Sequence, residues 1–222
     1  MDEFSEKSLR DQERNAIPYD SYTDREMKQY FDFFGVSINE LKGRVLELGS
    51  GLTEKAVRGM KKERPDLEIV VCNPQLAQKN MRDLRIFNTI RGIEKNKDLY
   101  QQKISVLAAL ASDLPFPDNS FNTIISNYAI PFYLPEDKNL FKQVFSEIKR
   151  VLAENGIAYF YPITNPSAFS PFAKESAQKR LDMLTSILSE LRLDFRFKLS
   201  PKTVLEDTDW RDYVLIIRKK TE

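Results

Sequence analysis

Apolar residues recur along this chain in two rhythms. Near the N-terminus, Tyr22, Met27, Tyr30, Phe31 and Phe34 fall close to helical spacing behind a polar start at Thr23 and Asp24. The segment Ile17-Pro18-Tyr19-Asp20 reads as the turn before that helix. From Arg44 onward, short apolar runs alternate with longer amphipathic stretches. The runs Arg44 to Leu48, Leu67 to Cys72, Ile104 to Leu107, Phe121 to Ser126 and Ile157 to Tyr161 predict strands. Between the first two, a helix is expected from Thr53 to about Lys62, with Thr53 as its N-cap. Pro74, capped by Asn73, opens a further predicted helix through LAQKNMRDLRIFNTI. Another spans Glu136 to Leu152, with Leu140, Phe141, Val144, Phe145, Ile148, Val151 and Leu152 on one face, and Asn155-Gly156 is its expected stop. A long helix from Ala173 to Leu191 follows, then two strands, Asp194 to Leu199 and Tyr213 to Arg218. No helix-length segment separates those two, so they are expected to pair as an antiparallel hairpin at the sheet edge. The alternation as a whole predicts an α/β fold around a mainly parallel sheet.

Composition narrows the setting. A chain of 222 residues, 41% of them hydrophobic, suits one domain with a packed core. The expected layout is a helical cap over residues 1–42 and an α/β core over 43–222. Lys plus Arg total 34 against 33 Asp plus Glu, so net charge gives no reason to expect nucleic acid or an anionic membrane. No apolar run approaches the roughly 20 residues that span a bilayer. The charged start MDEFSEKSLRDQER is unlike a secretory signal, and the expected location is cytoplasmic without a membrane partner. One segment departs from neutrality: Lys79 to Lys103 carries seven basic and three acidic residues, a local +4. It reads as a solvated helix face or, more sharply, as an RNA contact whose affinity would fall with salt.

Histidine is absent. That removes Ser-His-Asp triads, Cys-His pairs, HExxH zinc sites and any His general base. The single cysteine, Cys72, excludes an internal disulfide and a CxxC knuckle, and no metal site is expected. What remains is a glycine turn. In Glu47-Leu48-Gly49-Ser50-Gly51, a strand feeds two of the chain's seven glycines and then a helix. That arrangement lets the backbone approach a ligand and offers it free N–H groups, although a tight turn without a ligand reads the same way. A dinucleotide fingerprint would place a third glycine where Glu54 stands, and no GxxxxGK[ST] run exists.

Three blocks carry a family resemblance. Val45-Leu-Glu-Leu-Gly-Ser-Gly51 resembles the first motif of class I S-adenosylmethionine-dependent methyltransferases. Asp113-Leu-Pro-Phe-Pro-Asp-Asn-Ser-Phe121, followed by Ile-Ile-Ser-Asn-Tyr, resembles the LPFPD loop and fourth strand of the small-molecule, type 11-like branch. Glu147-Ile-Lys-Arg-Val-Leu-Ala-Glu-Asn-Gly156 resembles the helix end and turn before the fifth strand. The blocks lie in order across roughly residues 44–162. The resemblance implies a Rossmann-like seven-stranded sheet, mostly parallel with an antiparallel last strand and helices on both faces. It also implies S-adenosyl-L-methionine across the carboxyl ends of the first, second and fourth strands.

The implied cofactor residues are Glu47, Gly49, Ser50, Gly51, Thr53 and Asn73, with Leu110, Ala111 and Asn127 as a second group. Three positions depart from the family pattern. Asn73 stands where a carboxylate usually takes both ribose hydroxyls, and an amide offers one acceptor and one donor group instead. It also suits a helix cap. Leu110 stands where an acidic residue receives the adenine amino group; backbone groups of Ala111 can reach the ring, and a shift in alignment toward Ser112 or Asp113 stays open. Thr53 stands for the third glycine. No residue announces itself as a catalytic base. Tyr19, Tyr22, Tyr128 and Tyr133 are candidates to line an acceptor pocket, although each reads first as a packing aromatic. The expected acceptor is a small or unidentified molecule. The rival reading is a catalytically silent interaction protein on the same fold, with weak or no cofactor binding.

Overall fold

A computed structural model describes residues 25–49, 55–74, 104–164, 173–202 and 211–219. Helix α1 (Met27–Phe34) starts behind Glu26, whose backbone N–H donates to Gln29 Oε1 at 2.8 Å, and stops at Gly35 with φ +63°. Glu26 and Gln29 form a capping box at its start, and Tyr22, Thr23 and Asp24 of the expected helical stretch lie outside the described residues. A 3₁₀ turn (Ile38–Glu40) leads into β1 (Arg44–Leu48). Then come α2 (Lys55–Glu63), β2 (Glu68–Cys72), β3 (Ile104–Leu107) and β4 (Phe121–Asn127). The chain continues through α3 (Lys138–Val151), β5 (Leu152–Tyr161), α4 (Ala173–Glu190), β6 (Asp194–Leu199) and β7 (Tyr213–Arg218). The Thr53 cap and the helix expected after Pro74 lie outside the described residues.

The seven strands form one sheet in the order β3-β2-β1-β4-β5-β7-β6. All pairings are parallel except those of β7, which is antiparallel to both β5 and β6. The expected hairpin therefore forms, but β7 inserts beside β5 and leaves β6 at the edge. After β1 the chain builds outward to β2 and β3, then returns to place β4 on the other side of β1. That reversal opens a crevice at the carboxyl ends of β1 and β4, the usual ligand position in open α/β sheets.

Strand alternation splits the core in two. Leu46, Val70, Ile124, Phe160 and Leu215 face α3 and α4, where Phe141, Phe145, Leu184 and Leu188 meet them. Val45, Ile69, Val71, Ile125 and Tyr159 face α1 and α2, against Phe34, Val57 and Met60.

One boundary differs from the sequence pattern. α3 ends at Val151, and Asn155-Gly156 lies inside β5 instead of stopping the helix. Leu152 still donates its N–H to Ile148 O, yet its backbone is extended and it pairs with Phe121. Asn155, at φ +58°, donates to Lys219 O on the β7 side. The Asn-Gly pair thus makes an irregularity in a long strand, a role that its turn chemistry equally suits.

Two of the sequence blocks prove to be one structural unit. The Arg150 guanidinium on α3 donates to Leu114 O at 2.8 Å, Phe116 O at 2.6 Å and Asp118 Oδ1 at 3.0 Å. It also forks onto both oxygens of Glu147, at 2.8 and 2.7 Å, while Leu114 N–H donates to Glu147 Oε2 at 2.9 Å. A planar five-donor group suits such a set of acceptors, where a lysine would not. Burial raises the Glu147 pKa, but hydrogen bonds from Arg150 and the Leu114 N–H outweigh it and hold the carboxyl below its ordinary value. The LPFPD loop is therefore fixed from outside the crevice, and its motif residues act as scaffold.

Candidate functional site

The site begins with the sheet register. On the face toward α1 and α2, Glu47 pairs with Val71 and Ile125, and Ile125 pairs with Tyr159. One step further, Asn127 pairs with Tyr161, and Gly49 N–H donates to Cys72 O at 2.8 Å. The same register sets Gly49 between Asn73 and Asn127. The last row across the crevice thus reads Asn73, Gly49, Asn127, Tyr161. Glycine leaves its place in that row without a side chain. Two observations show that the place must stay so. Gly49 adopts φ +85°, and a Cβ built on it would lie 2.3 Å from Ala129 Cβ.

The neighbours of this slot are polar and buried. Asn73 and Asn127 are each 3% exposed. Among the described residues, neither amide atom of Asn127 has a hydrogen-bond partner. A buried amide without partners is costly, and such groups mark sites built for a ligand. Glu47 is fully buried, and its Oε1 accepts from the Tyr30 hydroxyl at 2.5 Å. Tyr30 comes from the apolar face of α1, so α1 and β1 are joined by a polar bond beneath Gly49. The sequence pattern placed Tyr30 in the core but not its bond to Glu47; a phenol on an otherwise apolar stripe was the available signal.

The segment after β4 forms the wall. Ser126 Oγ donates to Leu48 O and accepts from Ile130 N–H, both at 2.9 Å, tying this segment to the end of β1. Tyr128 adopts φ +54°, a left-handed conformation that costs a non-glycine residue roughly 1 kcal/mol or more. Arg180 of α4 holds the segment from behind, donating to the carbonyls of Pro131, Phe132 and Leu134 at 2.8–3.2 Å. Tyr128 packs against Phe33, Phe132 and Tyr161 at centroid distances of 5.5–5.7 Å. Phe33 stacks on Tyr161 at 4.7 Å. Arg25 places its guanidinium carbon 3.5 Å from the Tyr128 ring centroid. Behind Tyr161, Asp212 is 1% exposed and takes hydrogen bonds from Thr164 N–H, Thr164 Oγ1 and Tyr213 N–H. Burial raises the Asp212 pKa and, with Tyr128 and Asp212 beside it, that of Tyr161.

The remaining sequence candidates divide clearly. Leu110 and Ala111 form the turn after β3, where Asp113 N–H donates to Leu110 O at 3.2 Å. Ala111 packs into the core, Ser112 is buried and Asp113 is exposed. Tyr133 lies beside Phe132, at 4.6 Å, on the post-β4 segment. Ser50, Gly51, Thr53, Tyr19 and Tyr22 lie outside the described residues. Cys72 ends β2 on the core side, and burial pushes its thiol up to about 12, so it is not a nucleophile. Among the described residues, no cluster of carboxylates and Cys suits a metal ion, and no helix is long and apolar enough to cross a membrane.

Strand order, glycine slot and wall together define the class I S-adenosylmethionine-dependent methyltransferase fold. Solved structures agree. A SAM-dependent methyltransferase from Methanosarcina mazei superposes with a TM-score of 0.53 at 17% identity, covering 81% of this chain and 93% of that one. The N-methyltransferase NodS from Bradyrhizobium japonicum gives 0.55 at 14% identity, over 87% and 96%. Geranyl diphosphate C-methyltransferase from Streptomyces coelicolor gives 0.52 at 13%, over 88% and 78%. No curated protein matches the sequence. The methyltransferase domain family model matches residues 46–160, and the chain belongs to that family.

Proposed function

We propose that this protein transfers a methyl group from S-adenosylmethionine to a small-molecule acceptor. The observation that carries this reading is the buried, unpartnered amide of Asn127 at the carboxyl end of β4, beside the glycine turn that ends β1. The residues fit the cofactor. Glu47, Gly49, Ser50, Gly51, Thr53 and Asn73 belong to its amino-acid and ribose side, Leu110 and Ala111 to the adenine side. The Asn127 amide offers one acceptor and one donor group to whatever enters the crevice. When bound, the cofactor supplies an electrophilic methyl carbon and a neutral thioether leaving group. The chain's task is then alignment and exclusion of water, which needs no histidine. Tyr128 and Tyr133 line the acceptor side, with Tyr19 and Tyr22 as further lining candidates. The basic segment from Lys79 to Lys103 is the route by which an RNA acceptor would engage.

Asn73 and Leu110 favour the second reading, a silent fold that has lost its ligand. Each replaces a charged acceptor with a weaker or absent one. Losing a hydrogen bond to a charged group costs about 1.5–3 kcal/mol, so two such losses weaken binding by several orders of magnitude at most. Equilibrium dialysis with labelled S-adenosylmethionine separates the readings. The wild-type chain is expected to retain label, and Gly51→Val to lose it. No retention by wild type at millimolar ligand would contradict the transferase reading.

A further inference from the structure

The wall of the crevice carries a cation. Arg25 lies with its guanidinium face to face with Tyr128, 3.5 Å from the ring centroid. Tyr128 is itself enclosed by Phe33, Phe132 and Tyr161, at centroid distances of 5.5–5.7 Å. Burial pulls the guanidinium below its ordinary pKa, and Tyr128 opposes the fall. A half-buried positive group thus covers the face of an aromatic ring that other aromatics enclose. The ring that receives it is held in a left-handed backbone conformation by Ser126 behind and Arg180 below. It directly follows Asn127, whose amide atoms are buried and unpartnered. A strained, rigidly supported aromatic face next to an unsatisfied amide is a recognition element, and its chemistry is that of organic cations.

We propose that the methyl acceptor is an amine, held by Asn127 and the face of Tyr128, and that Arg25 occupies the cation's place until the acceptor enters. This rests on the transferase reading above. The charge balance of amine methylation supports it. The neutral amine's lone pair forms the N–C bond, the C–S bond breaks with its electron pair left on sulfur, and positive charge moves from sulfur to nitrogen. The new ammonium then gives one proton to water where it has one to give. Positive charge develops on nitrogen in the transition state, so an aromatic face there binds that state more tightly than the neutral amine. The Asn127 carbonyl oxygen accepts from the amine N–H and turns the lone pair toward the transferred carbon.

The probe is tetramethylammonium, with 2-methylpropan-2-ol as a neutral control of the same size and shape. Each is titrated calorimetrically into the full chain, with and without saturating S-adenosylhomocysteine. Arg25→Ala is expected to bind tetramethylammonium at least about fivefold more tightly than wild type, with no gain for the alcohol. Arg25→Ala with Tyr128→Leu is expected to lose the gain, and circular dichroism checks that this variant folds. The gain is expected to persist with S-adenosylhomocysteine bound. Competition between the two would assign the aromatic face to the cofactor's own sulfonium and overturn the proposal. Cofactor binding without a cation preference in Arg25→Ala overturns the amine acceptor but not the transferase. Cation binding without any cofactor binding overturns the transferase reading and with it the role of acceptor.

Discussion

Gly49 and Asn127 stand on opposite sides of one structural bargain between stability and binding. The glycine is required twice, by its φ of +85° and by Ala129 Cβ at 2.3 Å from where its own Cβ would lie. Gly49→Ala is expected to lower the melting temperature, at a cost of roughly 1–3 kcal/mol, and to displace Ala129 and with it the segment beside Asn127; thermal unfolding and dialysis read the stability and ligand effects separately. Asn127 runs the other way. Its buried amide has no protein partner among the described residues, so an apolar side chain of similar size relieves that penalty. Asn127→Leu is expected to leave stability unchanged or raise it by about 1 kcal/mol while weakening the cofactor or acceptor affinity. A fall in melting temperature with unchanged affinity would show that the amide serves the fold. Tyr30→Phe removes the donor to Glu47 and leaves a buried carboxylate oxygen to be satisfied otherwise; a loss of about 1–3 kcal/mol is expected in denaturant titration.

At the scale of elements, the fastening groups sit outside the crevice. Arg150 and Glu147 hold the LPFPD loop to α3, and Arg180 of α4 holds the segment after β4. Arg150→Met is expected to cost about 2 kcal/mol, because it strands two loop carbonyls and a half-buried carboxylate together. The Glu147 carboxyl is held below its ordinary value of 4.5, so its contribution is present above that pH and fades as pH falls through the lower folded value. The stability gap between wild type and Arg150→Met is therefore expected to shrink below pH 4.5, measured by unfolding across an acid series. Most element boundaries were readable from periodicity because each helix buries one stripe and each strand a row. The start of β5 was not. Leu152 belongs to the apolar face of α3 by spacing, and only its pairing with Phe121 shows that it has joined the sheet. The Asn155-Gly156 signal was genuine turn chemistry whose setting depended on a partner 64 residues away, Lys219 (219 − 155).

For the whole molecule, the strand order reverses between β1 and β4, at the end of the strand that carries Gly49. The fold was legible because three blocks in order carried it and the hydrophobic alternation agreed. The site was legible only in part. Gly49, Asn73 and Asn127 announce themselves by position along their strands. Tyr30, Arg25, Arg180 and Asp212 do not, since each reaches the site from an element distant in sequence and its residue type alone is common. The absence of histidine stays consistent throughout: the described crevice offers phenols, amides and a guanidinium, groups that position and stabilise charge without shuttling protons near neutral pH. The most direct test of the account is the side-chain amide resonance of Asn127, assigned through Asn127→Leu, during titration with S-adenosylhomocysteine. A saturable shift of that resonance is expected with the cofactor product bound. Saturable binding that leaves the Asn127 amide unmoved, or no binding at millimolar concentration, would contradict it.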